Sequence, residues 1–336
     1  MIVPFLPSYS KPFLPLADQL ALLKSRGLQV SDDVAAIECL HRNGYYRLSA
    51  YWYPFRVIAS QLDAQGKPIL DNRGTPLQVR TDQFLPGSRF EDAHALYVFD
   101  KKLKLLLLDA IERIEIAARV EVALVLGERN PFAYTQQQLF HPDFTRVVGP
   151  RNQSRFQSCT DKFNDRLRSS KDDFVRHHRD KYGQAPLPIW IAIELWDFGL
   201  LSFYYEGMAF RDRDAVARRF GIPRRNLMGS WLRSLNYIRN VIAHHGRLWN
   251  LNLAISPQLP AAGEMQGFDA LLSLRNVNFR LYSICCILSY FTKVVNPTSS
   301  WPKDVVNLIE SVPAMPYVGL QDMGFPTDWE THAFWH

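Results

Sequence analysis

One uninterrupted segment, from Phe90 to Gly127, constrains the fold of this chain more than any other part of the sequence. It contains no proline, and its single glycine is the last residue. Apolar residues such as Leu108, Ile111 and Ile114 recur through it at the three- and four-residue spacing of a helical face. The segment therefore predicts a long helix, in a chain that is expected to be nearly all helical.

Charged side chains are interleaved with the apolar face of this predicted helix. Glu112 lies three residues before Glu115, and Arg119 lies four residues after it. Both spacings bring side chains together on a helix, and a solvated ladder of ion pairs is their usual meaning. In the functional alternative, Glu115 or Arg119 faces the polar edge of a second helix, near residues 228–245, and supports a site there.

Shorter helices are predicted near the start of the chain. Leu16–Arg26 is amphipathic and is followed by Gly27, which is typical of a helix end. Ser31 and Asp32 can cap a second helix that runs to about Arg42.

Two segments lack a helical period. Gln61–Gly87 is rich in glycine, proline and aspartate, and it is predicted to form a long loop with room for a short hairpin. The tail from Pro297 onward carries prolines, glycines and tryptophans without strong periodicity. These breaks divide the chain into an N-terminal helical extension with its loop (1–84), a helical domain (85–295) and an irregular tail that packs on the body (296–336).

Composition limits the classes of protein to which the chain can belong. With 336 residues, of which 47% are hydrophobic, it can bury a large core and is not a disordered chain. The net charge of +6 is compatible with a polyanionic partner but does not identify one.

Cysteine usage and the start of the chain bear on its compartment. The residues Met1–Pro15 have no basic region before an apolar core, so no signal peptide is predicted. The cysteines show no metal-ligand spacing and are expected to be reduced thiols in a cytoplasmic protein. They are Cys39, Cys159, Cys285 and Cys286.

The apolar segment Ile189–Phe210 is the best candidate for a membrane span. Three acidic residues interrupt it, so a buried helix opened by Pro186 and Pro188 is expected instead. One of these acids, Glu194, is flanked by apolar residues. It is predicted to be a buried carboxylate that needs a partner such as an arginine or a helix N-terminus.

A helix predicted over residues 228–245 has two distinct faces. Its apolar residues recur at helical spacing and form one buried stripe. Asn236, Asn240 and His244 follow one another at four-residue spacing away from that stripe, and Arg239 lies between the two faces.

The end of this helix, Arg239 to Arg247, brings together a guanidinium, an amide and two imidazoles. That combination suits a phosphodiester, which needs its charge neutralised and a proton moved. Gly246 is expected to cap the helix and to leave His244 and His245 in the last turn. Spacing alone fits a simple helix cap as well as it fits a reactive site.

Two further segments are candidates for RNA contacts. Tyr45, Tyr46 and Arg47 open a cluster of aromatic residues and arginines that can stack on bases, although packing of the N-terminal helices is the favoured explanation. In the basic segment 151–181, Arg176 and His178 can reach RNA phosphates, although a solvated helix face is the better expectation.

Several segments resemble the AbiD/AbiF-type abortive-infection family of bacteria, a branch of the HEPN superfamily. The resemblance spans almost the whole chain in one order. The matching segments are Leu40–Leu48, Leu96–Asp100, Ile111–Glu115, Pro188–Glu194 with Phe198-Gly199, Arg239–Arg247 and Met323–Pro326. This resemblance implies an all-α, HEPN-type helical bundle.

The resemblance also implies a function, namely metal-independent RNA cleavage in antiviral defence or in a toxin system. The family motif R-N-x-x-x-H falls on Arg239, Asn240 and His244, with His245 and Arg247 as supporting residues. Such ribonucleases usually form homodimers that bring two motifs face to face. The implied partners are RNA as substrate and a noncoding RNA or protein antitoxin, with no cofactor, no membrane and no DNA substrate.

Three alternatives stay open at this point. The motif can bind RNA without cutting it, as in a regulatory protein, or it can merely hold a helical dimer together. A metallohydrolase that uses His177, His178, His244 and His245 has less support. These histidines lack the four-residue His-His spacing typical of zinc sites on helices.

Overall fold

The fold is built around one long helix, α4 (Phe90–Arg129). The computed structural model describes residues 12–148 and 152–336. Within those ranges it contains fourteen α-helices and two small two-stranded sheets, which confirms the all-α prediction. The predicted division at residues 84 and 295 stays a prediction.

The described residues form two compact units. One comprises the chain up to Lys101 together with Val312–Gly319, and the other comprises Lys102–Ser311 together with Leu320–His336. Helix α4 contributes to both units, since its sequence passes the boundary at Lys101. Every candidate on α4 and in the Arg239–Arg247 run therefore belongs to the second unit.

The first unit begins with three short helices, α1 (Leu16–Ser25), α2 (Asp33–Asn43) and α3 (Tyr45–Trp52). The Asp32 side chain accepts a hydrogen bond from the Ala35 N–H at 3.0 Å, so the predicted cap of α2 is present. A hairpin of β1 (Arg56–Ser60) and β2 (Gln78–Phe84) follows, paired antiparallel. The segment predicted as a long loop, Gln61–Gly87, thus contains the second strand of the hairpin and the connection that leads to it, whereas β1 lies just before it.

The second unit holds the rest of α4 and ten further helices. The buried side chains of α4 in this unit include Leu103, Leu107, Ile111 and Ile114, at the predicted three- and four-residue spacing. The other elements are α5 (Pro142–Thr145), β3 (Val147–Val148), β4 (Gln153–Ser154), α6 (Arg155–Ser169), α7 (Asp173–Tyr182), α8 (Ile189–Ala192), α9 (Phe198–Gly207), α10 (Phe210–Arg219), α11 (Arg225–Ala243), α12 (Asp269–Leu272), α13 (Leu281–Val295) and α14 (Trp301–Glu310).

Helices α11 and α13 form the centre of this unit. Helix α11 packs against α9, α10 and α13, and the Trp231 indole on it donates a hydrogen bond to the Gln258 carbonyl at 2.9 Å. On α13, Cys285 and Cys286 are fully buried free thiols, as expected. Burial raises the pKa of the Cys285 thiol to about 12, so it stays protonated and packs as a small apolar group.

The apolar segment after Pro188 differs from its prediction. It is not one helix, because α8 ends at Ala192 and α9 begins at Phe198. Between them, the Asp197 side chain accepts the Leu200 N–H at 2.7 Å and caps α9. A cap starts a new helix instead of continuing the previous one. No helix in the described ranges is long and apolar enough to cross a membrane.

The C-terminal tail also differs from its prediction, since α14 is a regular helix. Its buried residues Trp301, Val305 and Ile309 are four residues apart and form one apolar face. Pro302 lies in the first turn, where the missing N–H costs nothing. A proline that signalled irregular structure in the sequence therefore marks a helix start.

Candidate active site

Helix α11 ends in a tightly closed turn at the predicted motif. The His245 N–H donates to the Ile242 carbonyl at 2.9 Å, and the Gly246 N–H reaches back to the Val241 carbonyl at 2.8 Å. These two bonds are those of a Schellman closure, which requires one left-handed residue. That residue is His245, with φ of +57°, and not Gly246 as predicted. His244 is the capping residue itself, one position beyond the last helical turn.

Gly246 is needed for a different reason, which is close approach. A Cβ at this position would lie 2.9 Å from the Val241 Cγ1 and 3.1 Å from the Val241 carbonyl oxygen. Both contacts are too short for a side chain. The Gly246 carbonyl also accepts a hydrogen bond from Lys104 on α4 at 3.3 Å, so the turn is fixed from two sides.

The polar face of α11 is arranged as the spacing predicts. Asn236 and Asn240 are half-buried, and His244 is exposed at the end of the same line. Among the described residues, no group forms a hydrogen bond with the His244 ring. An exposed imidazole without a protein partner is available to a ligand.

Arg239 is held by its neighbours. Its Nη1 donates to the Asn240 Oδ1 at 3.0 Å, so the amide of Asn240 orients the guanidinium. The Arg239 charge also acts on Glu115 and Asp197, where it favours the ionised carboxylates. The Arg239 charge therefore reaches two carboxylates on other elements of the same unit.

Glu115 and Arg119 form a largely buried ion pair beside the polar edge of α11. Their side chains are 13% and 18% exposed, and Arg119 Nη2 lies 2.5 Å from Glu115 Oε1. The same Nη2 donates to the Trp196 carbonyl at 2.6 Å. Burial raises the pKa of the Glu115 carboxyl, although Arg119 and Arg239 oppose that effect. The pair is thus not a solvated ladder, and its position matches the functional alternative.

Asp197 completes this cluster and was not singled out in the sequence. Burial by itself raises its pKa, but the Leu200 N–H and the Arg166 guanidinium outweigh burial and hold the pKa below its ordinary value. Arg166, on α6, forms an ion pair with Asp197 and also donates to the Leu195 carbonyl at 3.2 Å. An aspartate directly before an apolar helix is a capping signal that could have identified it.

Glu194 is not the buried carboxylate that was predicted. Its side chain is 56% exposed, and the nearest Arg119 nitrogen is 3.8 Å away. It lies in a single 3-10 turn, on the outer side of the break between α8 and α9. The turn exposes Glu194, while Asp197, three residues later, lies in the cluster.

The remaining predicted residues lie in several places. His245 is exposed and Arg247 is half-buried just beyond α11. In the first unit, Tyr45 packs edge-on against Trp52 at 5.3 Å, whereas Tyr46 is 91% exposed and Arg47 is also exposed. The packing explanation therefore holds for Tyr45 and is wrong for Tyr46.

The basic segment before Pro186 is not one continuous surface. Arg176 is exposed and forms an ion pair with Asp173, whereas His178, two residues later on α7, is only 7% exposed. The start of that segment, Arg151, lies outside the described residues. The histidine pairs of α7 and α11 do not meet, and no group of three or more potential metal-ligating side chains occurs in the described ranges.

A comparison with known families gave a match that spans these residues. A family model described as Abi-like protein matches residues 38–250, more than half of the chain. The chain belongs to the Abi-like protein family. The match contains α3, the Glu115–Arg119 pair, Asp197 and the whole Arg239–Arg247 run.

Membership of this family points to a role in abortive infection, a form of defence. The predicted Abi assignment is thereby confirmed. Searches of curated proteins and of solved structures found no match to the chain.

Proposed function

We propose that this Abi-like protein is a metal-independent endoribonuclease of the HEPN type. The observation that carries the proposal is the contrast within one helix end. Arg239 is oriented by the Asn240 amide and lies within the field of the Glu115 and Asp197 carboxylates, and His244, one turn later, presents an unpartnered imidazole to solvent. A fixed cation beside an accessible acid–base group suits the cleavage of a phosphodiester.

The reaction is a transfer within the RNA strand itself. The ribose 2′-oxygen attacks the adjacent phosphorus, the O2′–P bond forms, and the P–O5′ bond breaks. One histidine takes the proton of the 2′-OH, and a second histidine gives a proton to the leaving 5′-oxygen. The products are a 2′,3′-cyclic phosphate and a 5′-OH, and DNA is inert because it lacks the 2′-OH.

The cluster around Arg239 supplies the charge. Arg239 stabilises the negative charge that develops on the non-bridging phosphate oxygens. The charges of Glu115 and Asp197 attract the Arg239 guanidinium, and each carboxylate also forms an ion pair with a second arginine, Arg119 or Arg166. His245 shapes the turn, and Arg247 binds a flanking phosphate of the RNA.

A single chain offers one such motif, so the working site needs a second copy of the chain. Three apolar side chains on α4 support a homodimer, since Ile116, Val120 and Leu124 follow at four-residue spacing and are each about half exposed. An exposed apolar stripe of this kind marks an interaction surface. Ile116 directly follows Glu115, whose carboxyl is reached by the Arg239 charge, so one end of the stripe lies near the motif in the fold.

RNA end-mapping tests the reaction. The purified wild-type chain is expected to leave 5′-OH and 2′,3′-cyclic phosphate ends, and His244→Ala is expected to leave the RNA intact. A 2′-deoxy substitution at the cleaved position should block the wild type as well. Cleavage that persists in His244→Ala, or that leaves 5′-phosphates, contradicts the proposal, and tight binding without any scission favours the regulatory alternative.

Mixing experiments test the need for two chains. If each site uses one histidine from each copy, only dimers of two wild-type chains are active. Activity in re-equilibrated mixtures with His244→Ala should then fall with the square of the wild-type fraction. A linear fall would show that one chain suffices.

A further inference from the structure

A cavity of about 310 Å³ lies in the second unit, and its lining includes none of Arg239, Asn240 and His244. Helices α6, α7 and α9 contribute to its wall, and the segment between α7 and α8 completes it. The residues lining its depth include Tyr134, Thr160, Phe163, His178 and Tyr204. Exposed residues of the lining include Asn164, Arg168 and Arg179.

Two polar side chains in the depth of the cavity have no protein partner. His178 is more than nine-tenths buried, yet no described group forms a hydrogen bond with its ring. The Tyr204 hydroxyl is fully buried and has no partner at hydrogen-bond geometry in the described chain. A buried polar group without a partner costs free energy, which a bound ligand can recover.

The charge of the lining favours an anion. Arg168 and Arg179 contribute two guanidinium groups, and the described residues that line the cavity include no aspartate or glutamate. Arg168 uses part of its guanidinium on Asp165, and Arg179 uses one nitrogen on the Leu167 carbonyl at 2.6 Å. Since a guanidinium has five N–H donors, both keep donors for a phosphate.

The walls favour a flat, heteroaromatic group. Tyr134, Phe163 and Tyr204 are aromatic, and Tyr134 meets Phe163 edge-on at 5.2 Å. Aromatic side chains hold nucleobases by stacking, and unpartnered imidazole and hydroxyl groups can bond their polar edges. The volume is at the low end for ligand sites, which fits one nucleotide and not an oligonucleotide.

We propose that this cavity binds a single nucleoside phosphate, with the base among Tyr134, Phe163, His178 and Tyr204 and the phosphate on Arg168 and Arg179. The occupant is a free nucleotide or the terminal nucleotide of an RNA. The site is separate from the cleavage motif and does not depend on cleavage.

Calorimetric titration of the full chain with AMP, GMP, CMP and UMP tests the site. At least one is expected to bind one per chain with a Kd below about 1 mM, and the matching nucleoside or inorganic phosphate alone should bind at least about tenfold more weakly. No binding by any of the four, or phosphate alone binding as well as the nucleotides, overturns the proposal.

Neighbouring residues on α7 provide matched controls. His178→Ala and Arg179→Ala should each weaken binding by about tenfold or more, whereas the exposed His177→Ala and Arg176→Ala should leave it unchanged. If the control variants weaken nucleotide binding as much as the cavity variants do, the nucleotide binds elsewhere and the assignment is overturned.

Tyr204→Phe covers the case in which His178→Ala fails to fold. It removes only an unpartnered hydroxyl, so the melting temperature of the free chain should be unchanged or higher while nucleotide affinity falls. Unchanged affinity in this variant contradicts the proposed position of the base.

Short RNAs in the His244→Ala background distinguish the two sources. Trinucleotides with a 5′-phosphate or a 3′-phosphate that compete with the bound mononucleotide identify an RNA end as occupant. Failure of both to compete identifies a free nucleotide.

Discussion

The run at the end of α11 has two halves with opposite surroundings. Arg239 and Asn240 contact each other and lie among the charges of Glu115 and Asp197, whereas His244, one turn later, is exposed. The same helix end thus holds a guanidinium that is oriented by a protein amide and nearby carboxylate charges, and an imidazole that is left to a ligand. Substitutions in the two halves should therefore affect the free energy of unfolding and the rate of RNA cleavage in different proportions.

The largest effect is expected at the exposed half. His244→Ala should lower the rate of RNA cleavage by about 10²–10⁴-fold, because it removes a proton-transfer group. Its free energy of unfolding should change by no more than about 0.5 kcal/mol, since the ring has no partner to lose. Single-turnover cleavage and urea unfolding measure the two quantities. His177→Ala, another exposed histidine, is the control and should change neither; a large loss of stability in His244→Ala would contradict the comparison.

Substitution of Arg239 should lower both the rate of RNA cleavage and the free energy of unfolding. Arg239→Ala is expected to slow cleavage by about 10²–10³-fold through the lost charge on the phosphate. It should also destabilise the fold by about 1 kcal/mol, because Asn240 loses a hydrogen bond and the carboxylates of Glu115 and Asp197 lose a nearby cation. The same two assays apply. Stability equal to that of His244→Ala would show that Arg239 is not held by the cluster.

Asp197 separates the capping role from the charge role. Asp197→Ala should cost about 2 kcal/mol, because α9 loses its cap and Arg166 loses its partner, whereas Asp197→Asn keeps a capping side chain and should cost less. Urea unfolding at neutral pH measures both. Equal losses in the two variants would mean that the charge, and not the cap, matters.

The pH dependence of this residue has a definite sign. The folded chain holds the pKa of Asp197 below 3.8, so its charge stabilises the fold above that pH and the contribution is lost as pH falls further. The difference in unfolding free energy between wild type and Asp197→Asn should therefore be largest at neutral pH and shrink below about pH 3.8. A difference that grows toward acid would have the wrong sign.

The smallest effect is expected at the turn that joins the two halves. His245 has a left-handed backbone that glycine adopts without strain, so His245→Gly should raise the free energy of unfolding by about 0.5–1 kcal/mol. Thermal unfolding measures the gain. Gly246→Ala is the contrasting variant, because its methyl group would collide with Val241 and destabilise the turn.

The long helices could be predicted from sequence because their periodicity continues over many turns. The apolar spacing of α4 and the two faces of α11 were placed to within a few residues. The break after α8 could not be predicted this way, since the Asp197 cap competes locally with a continuous apolar run. For the same reason the sequence predicted a buried carboxylate at Glu194, whereas the structure exposes Glu194 and places Asp197 in the cluster.

The burial and the backbone conformation of individual residues were harder to predict than the positions of the helices. The spacing of Glu115 and Arg119 gave their contact but not their burial, which comes from elements far away in sequence such as Trp196. The burial of His178 likewise depends on α6 and α9, which the sequence around it does not reveal. The basic segment 151–181 therefore predicts an ordinary solvated helix face. Glycine usually occupies the left-handed position at a helix end, so the sequence predicts that position at Gly246, whereas the structure has it at His245.

Helix α6 has a consequence for how the two sites of the second unit communicate. Thr160, Phe163 and Leu167 on this helix line the cavity, and Arg166 on the same helix holds Asp197 beside Arg239. A ligand that favours one position of α6 therefore also biases the Arg239 cluster. Thermodynamic linkage makes any such influence mutual: if a cavity ligand changes the affinity of the motif for RNA by some factor, RNA at the motif changes the affinity of the cavity by the same factor.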